Sequence, residues 1–186
     1  TKAPVQKMED LKGMKIRAAS RVGVWLLESL GATGIGLPLP QIPAALSKGV
    51  IDGVTLPYEI APAVKTPELV TYFSSLAGPQ PRLGTNVFTF LMNKASYDKL
   101  PADLQKVIDD NSGRNIAKAA GQNWVDVEVP GRKAVEAKAK NQFYVIPDAE
   151  VARMRAAAEP VFKRWYEEVA KSGLDGPAMV RDAREM

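Results

Sequence analysis

From Asp10 to Leu56 the chain alternates short extended runs with short helical ones, and this alternation restricts the fold more than any other feature of the sequence. Met14 to Ala18 reads as a strand entered through Gly13. Val22 to Leu30 reads as a helix with Val22, Trp25, Leu26 and Leu30 on one face, closed by Gly31 as a left-handed cap. Ile35 to Leu37 is extended again, and Pro43 to Ser47 is a short helix opened by proline and stopped at Gly49. Val50 to Thr55 is a second strand. Strand and helix in turn specify a parallel sheet with helices packed on its faces.

Thr85 to Met92 reads as a further strand, with Phe88, Phe90 and Met92 on one face and Val87, Thr89 and Leu91 on the other. Apolar residues on both faces predict a central, covered strand. Beyond Pro101 the period becomes helical: Leu104, Val107, Ile108 and Asn111 begin a long pattern that runs to about Lys140, with a kink expected at Pro130 and Gly131. A brief strand follows at Phe143 to Ile146. A helix capped by Asp148 then passes through Met154, Val161, Phe162 and Trp165, bends at Pro160 and closes at Gly173. A last short helix follows Pro177.

The 186 residues include no cysteine and no histidine, which removes disulfides, thiol nucleophiles, cysteine zinc sites and every Ser-His-Asp or Cys-His mechanism. The net charge of +4 comes from 25 basic and 21 acidic residues scattered along the chain, without the basic patch or tail of a nucleic-acid binder. No cofactor motif is present. Gly31, Gly34 and Gly36 form Gly-x-x-Gly-x-Gly, which matches neither the dinucleotide fingerprint nor the phosphate loop, and they are expected to serve as a cap and a turn. Neighbouring carboxylates such as Asp109 with Asp110, or Glu167 with Glu168, point apart on a helix and form solvated faces rather than catalytic pairs.

The blocks Asp10-Leu-Lys-Gly-Met-Lys-Ile-Arg17, Leu30-Gly31-Ala32 and Ala45-Leu-Ser-Lys-Gly-Val-Ile-Asp-Gly53, with Asn93 and the turn Leu100 to Gln105, occur in one order over nearly the whole chain. In that order and spacing the sequence resembles the solute-binding proteins of tripartite ATP-independent periplasmic (TRAP) transporters. The resemblance implies an α/β fold of the type II periplasmic-binding-protein kind, with a parallel-rich sheet, a long spanning helix and carboxyl-terminal helices. It further implies that the first lobe, with any signal peptide, would lie upstream of the Asp-Leu-Lys-Gly block. Residues 1–84 are then expected to form the second ligand-binding lobe. Residues 85–126 would be the returning segment of the first lobe with the start of the spanning helix, and 127–186 the remainder, packed on the second lobe. The implied role is a periplasmic, non-enzymatic receptor that holds a small organic carboxylate and passes it to a TRAP membrane permease, with no cofactor, no metal and no nucleic acid.

Arg17 is the leading site residue. It ends a predicted strand, where α/β sheets place ligand crevices, and a guanidinium offers two parallel donors to a carboxylate. Taken alone, its placement favours an arginine paired with a structural acid; the resemblance implies that it grips the ligand. Ser20 is both the N-cap of the first helix and a candidate hydroxyl donor. In the pocket-lining block, Leu56 stands before Pro57 where sialic-acid-binding members resemble one another in carrying asparagine, and Leu39 stands where an aromatic is common. With Tyr58 as an aromatic wall, these leucines favour a monocarboxylate with an apolar or aromatic body. Asn86 and Arg82 are candidates for the polar end. An α/β enzyme holding an acid through Arg17, with Tyr58 or Glu59 as acid or base, is the alternative reading.

Overall fold

The computed structural model describes residues 1–78 and 83–185, with the side chain of residue 115 left aside. β1 (Lys15–Ala18) is the centre of a three-stranded parallel sheet, flanked by β2 (Thr33–Gly36) and β3 (Gly53–Val54). Two helices make the crossovers: α1 (Arg21–Ser29) between β1 and β2, and α2 (Ile42–Ser47) between β2 and β3. The alternation along β1 separates the two faces. Ile16 and Ala18 enter a core cluster with Leu27, Leu30, Val151 and Met154, while Ile35 and Val54 of the flanking strands pack on a second cluster around Ile42, Leu46 and Ile51.

Two further strands, β4 (Tyr72–Leu76) and β5 (Gln142–Ile146), pair in parallel, with Phe73 stacked on Phe143 at 5.4 Å between ring centroids. Thr1 and Lys2 run between the sheets: Lys2 N donates to Asp52 O and Tyr72 N donates to Thr1 O. Short helices α3 (Thr66–Leu69) and α4 (Lys94–Tyr97) precede α5 (Ala102–Asp110) and the 24-residue α6 (Gly113–Glu136). The chain closes with α7 (Asp148–Ala170) and α8 (Gly176–Glu185). No helix among the described residues is long and apolar enough to cross a membrane.

Five expectations need correction. Residues 85–92 form no strand: no described strand pairs with them, and Val87, Phe88, Phe90 and Leu91 are 72 to 108% exposed. An apolar alternation becomes a strand only where a partner ladder receives its backbone. The long helical pattern is two helices, because Asn111 and Ser112 break it and Gly113 adopts φ +71. Pro130 lies inside α6 without ending it, and the helix stops at Glu136 rather than near Lys140. Pro147, not Asp148, is the N-cap of α7; the Asp148 carboxylate instead lies over Gly78, where any Cβ would collide with it. Lastly, Gly34 is no turn residue. It sits in β2 where a Cβ would stand 2.6 Å from Val24 O, so its missing side chain lets α1 lie on the sheet.

The same close approach recurs at Gly131 in α6, where a Cβ would stand 2.5 Å from Tyr58 O and 2.6 Å from Glu59 Cα. Gly121, on the same helix, has nothing within 4 Å. Gly121→Ala is therefore expected to stabilise the protein by about 0.5–1 kcal/mol through helix propensity alone. Gly131→Ala should destabilise it, since an overpacking cost of roughly 1–3 kcal/mol outweighs that gain. Urea denaturation of the two variants checks this; equal shifts in the same direction would show that the Tyr58 backbone does not press on α6.

Candidate functional site

Arg17 is only 4% exposed, although β1 delivers it to the carboxyl end of the central strand. Its Nε donates to Leu37 O at 2.8 Å and its Nη1 donates to Thr55 O at 3.4 Å. Both acceptors are neutral carbonyls just past the ends of β2 and β3. Among the described residues no carboxylate pairs with it. Burial pulls the guanidinium below its ordinary pKa, and its basicity is high enough that it stays charged at neutral pH. The result is a buried cation without a counter-ion, an arrangement that costs free energy unless an anion arrives.

The hydrogen bonds also fix how an anion would meet it. A carboxylate can approach a guanidinium from the Nε side or from the Nη1–Nη2 end. Leu37 O occupies the first and Thr55 O takes a hydrogen of Nη1, so Nη2 is the nitrogen without a partner among the described residues. Thr55 steadies the same strand ends, its N and Oγ1 both donating to Arg17 O, at 2.9 and 3.1 Å. Ligand crevices of parallel α/β sheets lie at this edge, outside the carboxyl ends of the strands.

Around Arg17 the other candidates take different places. Ser20 is the N-cap of α1, accepting from Gly23 N at 3.1 Å, and its own hydroxyl hydrogen remains available to donate. Leu56 packs half-buried on the second core cluster beside Leu37 and Val54. Leu39 opens a 3-10 turn two residues past Leu37 and is 37% exposed. Tyr58 begins another 3-10 turn, Tyr58–Ile60, with the Arg132 guanidinium 5.6 Å from its ring centroid; burial raises its hydroxyl above the ordinary tyrosine pKa. Asn86 is exposed and hydrogen-bonds to nothing among the described residues, so it does not join Arg17. Arg82 lies outside the described residues.

One group went unread in the sequence. The face of α6 bearing Trp124, Glu128, Gly131 and Arg132, at helical spacing i, i+4, i+7 and i+8, meets the Tyr58–Ile60 turn. Trp124 Nε1 donates to Glu59 Oε1 at 3.1 Å, and Glu59 N donates to Glu128 Oε2 at 3.0 Å. A tryptophan at helical register with an acid and a glycine was the available signal, but its partner stands 65 residues away.

Among the described residues no group of three or more His, Cys, Asp or Glu could hold a metal ion. A concavity of about 460 Å³ between α1 and α7 is lined by Arg21, Trp25, Arg164, Glu167, Glu168 and Lys171. Four of its five charged residues are engaged in ion pairs, Arg21 and Lys171 with Glu168 and Arg164 with Glu28, and Arg17 is not among its lining residues.

Residues 1–169 match the family model DctP, described as bacterial extracellular solute-binding protein, family 7. A solute-binding protein of Verminephrobacter eiseniae is 30% identical over 180 residues, covering 94% of this chain and 50% of that protein. A marine-metagenome TRAP solute-binding protein described as specific for aromatic acid ligands, solved with 3-hydroxybenzoate, superimposes with a TM-score of 0.88 at 39% identity. The match covers 98% of this chain and 57% of that one. A TRAP solute-binding protein from Rhodoferax ferrireducens, solved with copurified benzoate, gives the same TM-score and identity over 98% of this chain and 56% of that one. The chain thus spans about half the length of the curated relatives it matches. It belongs to the DctP family, family 7 of the bacterial extracellular solute-binding proteins, a family of periplasmic TRAP receptors that bind solutes without chemical turnover.

Proposed function

We propose that this chain supplies the carboxylate-gripping lobe of a TRAP receptor for a monocarboxylate with an aromatic or apolar body, delivered to a TRAP membrane permease. The observation that carries the reading is Arg17: a buried guanidinium held by two carbonyls, with no acid beside it and its Nη2 without a partner among the described residues. A structural arginine would have its counter-charge in the fold. Only one such cation is present among the described residues, which favours a single carboxylate over a dicarboxylate. Leu39, Leu56 and Tyr58 offer the body of the ligand apolar and aromatic surface. Ser20, at the same end of β1, is assigned a supporting hydroxyl contact. Relatives that hold benzoate and 3-hydroxybenzoate, each 39% identical, point to the same class.

In this reading residues 1–84 form one lobe and residues 85–126 the return of the other. Ligand contacts made from both lobes would favour the closed state by population shift.

Calorimetry with a panel of acids tests the proposal. Benzoate and hydroxybenzoates should bind more tightly than sialic acid or a short dicarboxylate. Leu56→Asn should weaken the aromatic acid by roughly tenfold, the value of one lost apolar contact. Preferential binding of a hydroxylated sugar acid by the native protein overturns the assignment.

A further inference from the structure

Residues 55–59 are fastened at both ends. At one end Thr55 N and Oγ1 donate to Arg17 O, and Thr55 O accepts from Arg17 Nη1. At the other, Glu59 N donates to Glu128 Oε2 of α6 at 3.0 Å, across 69 residues of sequence. The first main-chain donors of a helical turn need acceptors from outside it, and Pro57, the N-cap residue of the Tyr58–Ile60 turn, has no side-chain acceptor to offer. Half-buried Glu128 supplies one from another element, as a charge-assisted bond. Gly131 and Arg132, three and four residues further along α6, share its face. A Cβ at Gly131 would stand 2.5 Å from Tyr58 O, and the Arg132 guanidinium is 5.6 Å from the Tyr58 ring centroid.

We infer that Glu128 is a positioning residue for the wall formed by Leu56 and Tyr58, so that selectivity for the body of the ligand is set in part from α6. This role rests on the reading of Arg17 as the carboxylate grip and deepens it. Arg17 and Thr55 fix where the carboxylate sits against β1 and β3, and Glu128 fixes where the wall stands relative to that point. Between the two fastenings lie Leu56, Pro57 and Tyr58, and the Pro57 ring locks one backbone torsion of the three residues, at φ −74. Glu128 acts through the Glu59 main chain. Removing its carboxylate leaves Glu59 N without that acceptor and frees the far end of the block, while the Arg17–Thr55 end stays tied. The grip on a carboxylate should therefore hold, and the preference for an aromatic body should fall.

Tyrosine labelled with carbon-13 at Cζ tests this in the ligand-free protein. Its five resonances include that of Tyr58, assigned through Tyr58→Phe. In the native chain that signal should titrate above the ordinary tyrosine range, as burial of the hydroxyl requires. Glu128→Ala should move the signal and bring its titration toward the ordinary range. Glu128→Gln loses the same charge but keeps an oxygen acceptor for Glu59 N, and should leave the signal in place. Gly131→Ala, which pushes on the Tyr58 carbonyl from the same helix face without changing any charge, should move it as well. Calorimetry then compares benzoate with propionate, which shares the carboxylate and lacks the ring. Glu128→Ala should lower the benzoate-to-propionate affinity ratio about tenfold, with propionate affinity held within about twofold, and Glu128→Gln should restore the ratio. A Tyr58 signal unmoved in Glu128→Ala, or an unchanged ratio, would overturn the role of Glu128. A native chain that binds propionate as tightly as benzoate would overturn the aromatic-acid reading instead, and the labelled tyrosine, measured without ligand, would still decide whether Glu128 positions Tyr58.

Discussion

Replacing Arg17 by alanine should weaken binding of benzoate by about 30-fold to several thousand-fold, because removing one partner of a buried charge pair costs on the order of 2–5 kcal/mol. Arg17→Lys should recover only part of this, since an ammonium cannot make two parallel bonds to one carboxylate. The effect on folding separates a binding arginine from a structural one. Among the described residues the guanidinium has two carbonyl partners and no counter-ion, so its removal both strands Leu37 O and relieves a buried charge. These oppose each other. Arg17→Met should therefore change unfolding free energy by less than about 1.5 kcal/mol in either direction, while weakening the affinity as much as alanine does. Calorimetry with urea denaturation on the same samples checks both halves. A large loss of stability with affinity retained would make Arg17 a structural residue.

The parts of the fold that were legible in the sequence are those in which local chemistry and tertiary position agree. β1, α1 and the Gly31 and Gly49 caps were read nearly to the residue, since an apolar face, a capping serine and a left-handed glycine each act within one turn. β4 was missed. Tyr72-Phe-Ser-Ser-Leu76 carries two serines in its middle, and its partner β5 enters from 70 residues away, so neither periodicity nor a hairpin turn announces it. Residues 85–92 failed in the opposite sense. Their pattern was read as a buried strand, yet a strand is a property of a pair, and the described chain offers them no ladder.

The site divides in the same way. The places where Arg17 and the Thr55–Glu59 block emerge were legible because strand ends and proline fix them. What the sequence could not show was the absence of an acid beside Arg17, which follows from how three strand ends and two helices pack. Nor could it show that Glu59 spends its carboxylate on Trp124 rather than on a substrate proton. The enzyme alternative rested on Glu59 or Tyr58 as acid or base, and both are engaged with α6.

The exposed apolar surface leads to the second large effect. Val87, Phe88, Phe90, Leu91 and Met92 are at least half exposed, as are Val107, Val125 and Val129 on the helices that follow. Apolar surface exposed in this way marks an interface or an aggregation hazard. If it is the face on which the other lobe of the receptor sits, two consequences follow together. The 186-residue chain alone should self-associate at micromolar concentration, and it should bind benzoate at least a hundredfold more weakly than a two-lobed protein, about two contacts of 1.4 kcal/mol lost from the absent wall. A hybrid makes the comparison: the residues that precede the matched region in the metagenome aromatic-acid receptor, joined ahead of Thr1. Light scattering and calorimetry should find the hybrid monodisperse and tight-binding, and the chain alone associated and weak. The apolar segment gains a partner in the hybrid, and Arg17 gains a second wall that keeps water from competing for its carboxylate. A monomeric chain that binds benzoate as tightly as the hybrid would mean that both walls of the crevice already lie within residues 1–186.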